Sequence, residues 1–411
     1  MKPYAVRAAH CDHRASEEAI FEALRTLTRP LARSWTRLEA ARTIVVKANM
    51  VWPPDRIRML EGRRQELVDV AVFRSVLRLI RERTRARLLV ADTTYMGAQR
   101  PGSDVNFLPM LAEFSAEYVE CNDPPVTSFD VPSGGLMFRR YNLHACMKEA
   151  DAVVSVAKLK SHSFMGMTLC LKNLFGLSPL PPRGRPRTYF HHIIRLPYVL
   201  SDLGLIARPC LNIVDGLVGQ SGLEWGGEGR ICDTLIAGDH VIATDACTVW
   251  LMGHDPAADW PTPPFRRDRN ALRVAAERGF GTVDLGEIDF QADASRPIGA
   301  FDSAAVDPNE RVEGWRRTMC EQGLYCRDHA RELAERYAGS YLFLQDGEVV
   351  WNGPDPENLG SRRILSGDRK DSALWLKWAD PQEAEGERFE VYEDVLSRAW
   401  GHRRTARNRG L

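Results

Sequence analysis

The chain has 411 residues, 44% hydrophobic and 27% charged, an ordinary globular composition with room for one large domain and an appendage. Lys plus Arg and Asp plus Glu both number 55, so the formal net charge is zero and bulk attraction to nucleic acid or anionic membrane is excluded. No apolar run has the length of a membrane span and residues 1–14 lack a signal-peptide core, so the expected location is the cytoplasm, with no membrane partner.

In chain order, the apolar run 43–46 predicts a buried strand. Residues 68–83 have helical spacing, with Val68, Val72, Val76, Leu77 and Ile80 on one face. A strand at 87–91, a helix at 107–116, a strand at 118–121 and a helix at 143–149 follow. The run 152–157 reads as a strand and 168–177 as a short helix. Residues 179–187 (PLPPRGRPR) can only be a loop, placed to act as a flap. Strands at 209–214 and 234–237 and a helix at 244–252 complete an alternation that predicts an α/β core over 1–306. That core is a mostly parallel sheet with helices on both faces.

The composition shifts after residue 306. A charged helical stretch at 310–337, a hairpin formed by 341–344 and 348–351, and strands at 374–378 and 389–392 predict a small α+β domain over 307–400. Residues 401–411 form an Arg-rich flexible tail. The nine cysteines are scattered with no C-x-x-C pair, which supports no disulfide framework, zinc site or iron–sulfur cluster.

In an open parallel sheet, ligands bind beyond the carboxyl ends of the strands. Lys47 and Asn49 follow the first predicted strand and Asp92 the second. After Ala157 come Lys158, Lys160, Ser161, His162 and Ser163, read as a loop leading into the helix at 168. The N–H groups at that helix start favour an anion, Thr168 and Lys172 share a face four residues apart, and Asn173 follows. His191, His192 and Arg195 follow the Pro/Arg loop. Asp215 ends a strand and opens a glycine-rich segment that reaches Glu224; Asp239 reads as a helix cap. G-x-S-x-G, H-E-x-x-H and the phosphate-loop pattern are all absent.

The segments AKLKSH at 157–162 and MTLCLKNLFG at 167–176, the His191 region, Asp215-Gly216 and the stretch Gly238-Asp239 to Asp245 together resemble the domain of unknown function 362 family. The resemblance covers roughly 42–256. Lys47-Ala48-Asn49 is similar to that family's early K-P-N motif, with Ala in place of Pro. The resemblance implies an α/β core and a shared polar site but no particular reaction. Some family members carry ferredoxin-like cysteine clusters, whose spacing this chain lacks.

The residues point to an enzyme acting on a small anionic metabolite, a carboxylate or phosphate. Its chemistry would be acid–base proton transfer of the isomerase or lyase type, or metal-assisted transfer. Catalytic candidates are His162, His191, His192, Asp215 and Lys158. Substrate-binding candidates are Lys47, Asn49, Lys160, Ser161, Thr168, Lys172, Asn173, Arg195 and Glu224. The cofactor is unknown; a divalent metal held by Asp92 and Asp215 is left open, as is a homo-oligomer. No nucleic-acid partner is expected. The alternative is a non-catalytic sensor or assembly protein that holds a metabolite or nucleotide.

Overall fold

The structure, a computed structural model, describes residues 2–50, 57–93, 107–179, 189–354, 356 and 374–407. The expected Pro/Arg flap lies outside these residues apart from Pro179.

A nine-stranded sheet organises the chain: β1 (Tyr4–His10), β2 (Thr43–Ala48), β3 (Arg87–Asp92), β4 (Ala116–Glu120), β5 (Ala152–His162), β6 (Gly166–Thr168), β7 (Leu211–Ser221), β8 (Glu228–Gly238) and β9 (Ile288–Asp293). The spatial order is β9-β1-β8-β7-β5-β2-β3-β4, with β6 folded back on the end of β5. Only β8 and the short β6 run antiparallel to their neighbours, so β2, β3, β5 and β7 deliver their carboxyl ends to one edge.

The strands are apolar on both faces because both are covered. Ile44, Val46, Leu88, Val90, Val154 and Ile213 pack into one core with the helices Glu17–Thr28, Ala32–Ala40 and Val70–Arg83. The intervening Val45, Leu89, Val153 and Val214 pack into the other core with Arg195–Ala207, Val241–Leu251 and Ala271–Glu277. This period of two is the pleat of a strand buried on both sides. Among the described residues no helix is long and apolar enough to cross a membrane. All nine cysteines are free and buried.

Several local expectations are corrected. Residues 143–149 are not one helix. Arg140–His144 is a strand paired with Val126–Asp130, burying Tyr141 and Leu143 alternately, and only Cys146–Glu149 is helical. Residues 389–392, expected as a strand, are a turn at Phe389 and the start of the helix Glu390–Arg407, where Val391, Tyr392 and Val395 form a buried helical stripe. His240, not Asp239, caps Val241–Leu251; Asp239 instead accepts from the Ala5 N–H and pairs with Arg33.

The C-terminal region carries the helices Asn309–Asp328 and Ala330–Tyr337 and a three-stranded antiparallel sheet of Tyr341–Gln345, Glu348–Gly353 and Trp375–Trp378. It shares a continuous hydrophobic cluster with the large sheet. Arg195 joins the two. It is fully buried, donates to Leu376 O at 2.7 Å and Tyr189 O at 3.0 Å, and pairs with Glu387 at 3.1 Å. Its guanidinium lies 3.9 Å from the centre of the Trp375 ring. The expected substrate-binding residue thus lies at this junction, outside the lining of the cavity described below. Truncating one member of a buried pair leaves a charge uncompensated. Arg195→Met should lower the unfolding free energy by about 3 kcal/mol in urea titration, the remaining Lys377–Glu387 contact softening the loss. An unchanged midpoint would contradict the clamp.

Candidate functional site

The central strand β5 carries the site because it does not stop at Ala157. Lys158–His162, expected to form a loop, continues as buried strand and turns back through Gly166–Thr168. Lys158, Lys160 and His162 therefore share one face, and Leu159 and Ser161 the other. Thr168 sits directly opposite Lys160 in the hairpin register rather than on a helix face with Lys172.

The helix that follows is a single turn, Cys170–Asn173, and its N-terminus is already filled. Asp245, from Val241–Leu251, accepts from the Cys170 N–H at 3.0 Å and the Leu171 N–H at 2.7 Å. The anion expected at this helix start is the protein's own carboxylate.

The polar strand ends enclose a cavity of about 330 Å³. Ten of the expected residues line it: Lys47, Asn49, Asp92, Lys160, His162, Thr168, Lys172, Asn173, His191 and Glu224. Five others lie outside its lining. Lys158 and Asp215 are fully buried and paired at 2.9 Å. Asp215 also accepts from the Asp69 and Leu217 N–H groups, so it fixes the start of Val70–Arg83. Ser161 faces away, His192 is buried outside the lining, and Arg195 serves the C-terminal clamp. Asp92 and Asp215, the candidate metal ligands, do not converge, since each is held by its own lysine. Among the described residues, the His/Cys/Asp/Glu group close enough to share an ion is Asp12, His13 and Asp233.

The first part of the glycine-rich segment, Asp215 to Ser221, is strand, bulged between Asp215 and Gln220 against β5. A Cβ on Gly216 would lie 2.8 Å from Thr234 O, and one on Gly219 would lie 2.9 Å from Leu159 O. The glycines let backbones approach. Beyond the bulge, the chain brings Glu224 and Trp225 to the cavity.

Lys47 Nζ pairs with Asp92 Oδ1 at 3.0 Å and donates to Asn173 Oδ1 at 3.0 Å. Asn173 Nδ2 donates back to Lys47 O, Ser155 Oγ and Val156 O, which locks β2, β5 and the short helix together. Burial pushes the Asp92 carboxyl upward and the Lys47 ammonium opposes that shift.

Lys160 lies in different surroundings. Its Nζ donates to Glu66 O at 2.9 Å and sits 4.2 Å from the centre of the Trp225 ring. Burial pulls its ammonium down to about 7; Glu66 and Glu224 resist, while Lys158 and Lys47 reinforce the fall.

His162 Nδ1 accepts from the Phe164 N–H at 3.0 Å and the Met165 N–H at 3.2 Å. The neutral ring therefore carries its proton on Nε2. Burial holds its pKa down at about 3, against the pull of Glu224. Burial would raise Glu224, but the neighbouring His162, when charged, and two hydrogen bonds from Ser163 pull it below the usual carboxylate range. The pair is a neutral imidazole beside an ionised carboxylate. The expected leading base, His162, is thus placed to donate a hydrogen bond rather than to take a proton. His191 lies near it, ring centres 5.5 Å apart.

Three cavity atoms are buried without a hydrogen-bond partner among the described residues: Asn49 Oδ1, Thr168 Oγ1 and Ser178 Oγ. Buried polar atoms are rarely left this way unless something else satisfies them. Thr93, Phe175, Gly176, Ser178 and Trp225 line the cavity but were not singled out from sequence. Ser178 lies just beyond the TLCLKNLFGL run and Trp225 directly follows Glu224, so proximity to named motifs was the available signal.

Gly176 gives a sharp test. A Cβ there would lie 2.5 Å from Lys47 Cε and 2.6 Å from Asp92 Oδ1. Gly176→Ala should displace the ion pair, cost about 1–3 kcal/mol and weaken ligand binding. Gly314→Ala, within the helix Asn309–Asp328 and with nothing within 4 Å, should instead be neutral or stabilising by up to about 1 kcal/mol. Thermal melts of both variants check the contrast; equal effects would contradict it.

A protein of the cyanobacterium Synechocystis sp. (strain PCC 6803), "Thylakoid-associated protein sll1697", is 26% identical over 272 residues, spanning 64% of this chain and 78% of the relative. The model of the family described as "Domain of unknown function (DUF362)" matches residues 44–250, half of the chain, from β2 through the helix that supplies Asp245. The chain belongs to this family.

Proposed function

We propose that the cavity at the carboxyl edge of the sheet binds a small anionic metabolite, a carboxylate or phosphate, and that the protein is an enzyme that moves a proton on it. The observation that carries this reading is Lys160: buried, lining the cavity, and brought by burial to about 7. A group poised near the working pH is an efficient acid–base catalyst. Three lysines, Lys47, Lys160 and Lys172, face two acids, Asp92 and Glu224, in the lining. The unsatisfied hydroxyls of Thr168 and Ser178 add donors for an anion. His162, neutral with its proton on Nε2, supplies a hydrogen bond to an oxygen where charge develops.

In this reading Lys160 replaces His162 as the proton-transfer group, and Lys172 binds the anion. Lys158 and Asp215 support the strand ends from outside the cavity. The same proposal places the chain in the cytoplasm; the relative's name associates that protein with thylakoids, and fractionation of host cells into soluble and membrane pools decides between the two.

The test is a panel of small carboxylates and phosphates, scored by melting temperature and by solvent-deuterium exchange at carbon followed by NMR. Exchange should rise with pH through about 7, because Lys160 is protonated and inactive as a base below that point and free above it. Lys160→Met should lower the rate by about 10²–10⁴-fold with the fold retained. Binding with no conversion of any ligand would favour the non-catalytic sensor instead.

A further inference from the structure

We propose that Lys160 is an imine-forming nucleophile and that the substrate of the cavity is a small α-oxo acid. Its carbonyl is captured by Lys160 while Lys172 and the free hydroxyls hold its carboxylate. The inference rests on the anion-binding reading above and names the substrate class for it.

Three lysines stand at the ends of adjacent strands, and the structure treats them differently. Lys47 is paired with Asp92 at 3.0 Å and Lys158 with Asp215 at 2.9 Å, so each has a carboxylate in direct contact. Lys160 is buried too, but its Nζ meets a backbone carbonyl and an aromatic face and makes no salt bridge within 4.0 Å among the described residues; Glu66 and Glu224 act on it without direct contact. A buried lysine with no carboxylate in direct contact is the arrangement that frees an amine lone pair near neutral pH. Proton transfer alone would need only a base. Here Lys160 is also the hairpin partner of Thr168, whose Oγ1 is buried and unsatisfied, and both line a cavity of about 330 Å³. That volume is at the small end of ligand sites, which suits a substrate of a few carbons.

The step balances without an oxidant or reductant. The Lys160 nitrogen adds its lone pair to the carbonyl carbon, the N–C bond forms and the C=O π pair moves to oxygen. The nitrogen passes a proton to that oxygen, to which His162 Nε2–H can donate a hydrogen bond. The carbinolamine then expels water, which carries away the oxygen and a second proton from solvent, and a protonated imine remains. Its positive nitrogen draws electrons from the adjacent carbon and makes loss of a proton there easy; with the Lys160 nitrogen held in the imine, that proton passes to the ionised Glu224 of the cavity lining instead of to Lys160.

The experiment treats the full chain with pyruvate or glyoxylate and sodium borohydride, followed by intact mass and peptide mapping. Expected is one reduced adduct on Lys160, formed an order of magnitude faster than on any other lysine, suppressed by oxalate and absent in Lys160→Arg. Mapping of the unmodified sequence decides the matter even if that variant folds poorly. Adducts absent or spread over surface lysines, while oxalate still raises the melting temperature, would overturn the imine and leave the anion site standing. If neither oxalate nor pyruvate nor phosphate shifts the melting temperature, the anion reading itself falls and the imine falls with it.

Discussion

Three lysines stand at the carboxyl edge of one parallel sheet, and two of them have a carboxylate in direct contact. Asp92 ends β3 next to Lys47, and Asp215 lies in β7 next to Lys158. A buried ion costs several kcal/mol to desolvate unless a partner offsets the loss. Each pair therefore fixes two strand ends relative to one another. Lys160, one pleat beyond Lys158, is denied such a partner and answers by giving up its proton more readily. The rest of the site is built around this difference: Asn173 holds Lys47, Gly176 leaves room for the Lys47–Asp92 pair, and beyond the bulge in β7 the chain brings Glu224 and Trp225 to the cavity that Lys160 lines.

In the proposed site an anion would meet side chains rather than a helix terminus. The short helix after β6 offers its first N–H groups to Asp245, whose carboxyl is raised to about 7 by burial. With that position filled, the lysines, the hydroxyls of Thr168 and Ser178 and the His162 ring remain to face a ligand. Their placement depends on β5 continuing as buried strand through five residues that are mostly polar.

The middle of the sheet was legible because fully buried strands are continuous apolar runs: TIVV at 43–46, RLLVA at 87–91 and AVVSVA at 152–157. The helix ending at Arg83 was legible from its spacing. Strand ends were not, since Lys158 to His162 read as loop by composition and are made strand by pairing with β6 and β7. The half-buried β1 and β9 were missed, as were Glu17–Thr28 and Ala32–Ala40, although Ser16 caps the first and Ile20, Phe21, Leu24 and Leu27 stripe it. The rule that ligands gather at carboxyl ends found most of the cavity lining. It failed for Lys158 and Asp215, whose spacing resembles that of Lys160, because a sequence does not say which charges will meet. It failed for Arg195 because its partner Glu387 lies 192 residues away.

The central claim is that a small anion sits among these strand ends. A crystal structure of the protein with oxalate tests it most directly. The result expected is one oxalate in the cavity, within hydrogen-bond reach of Lys160 and of Thr168 Oγ1 or Ser178 Oγ. Oxalate bound stoichiometrically elsewhere, with the cavity holding only water, would contradict it.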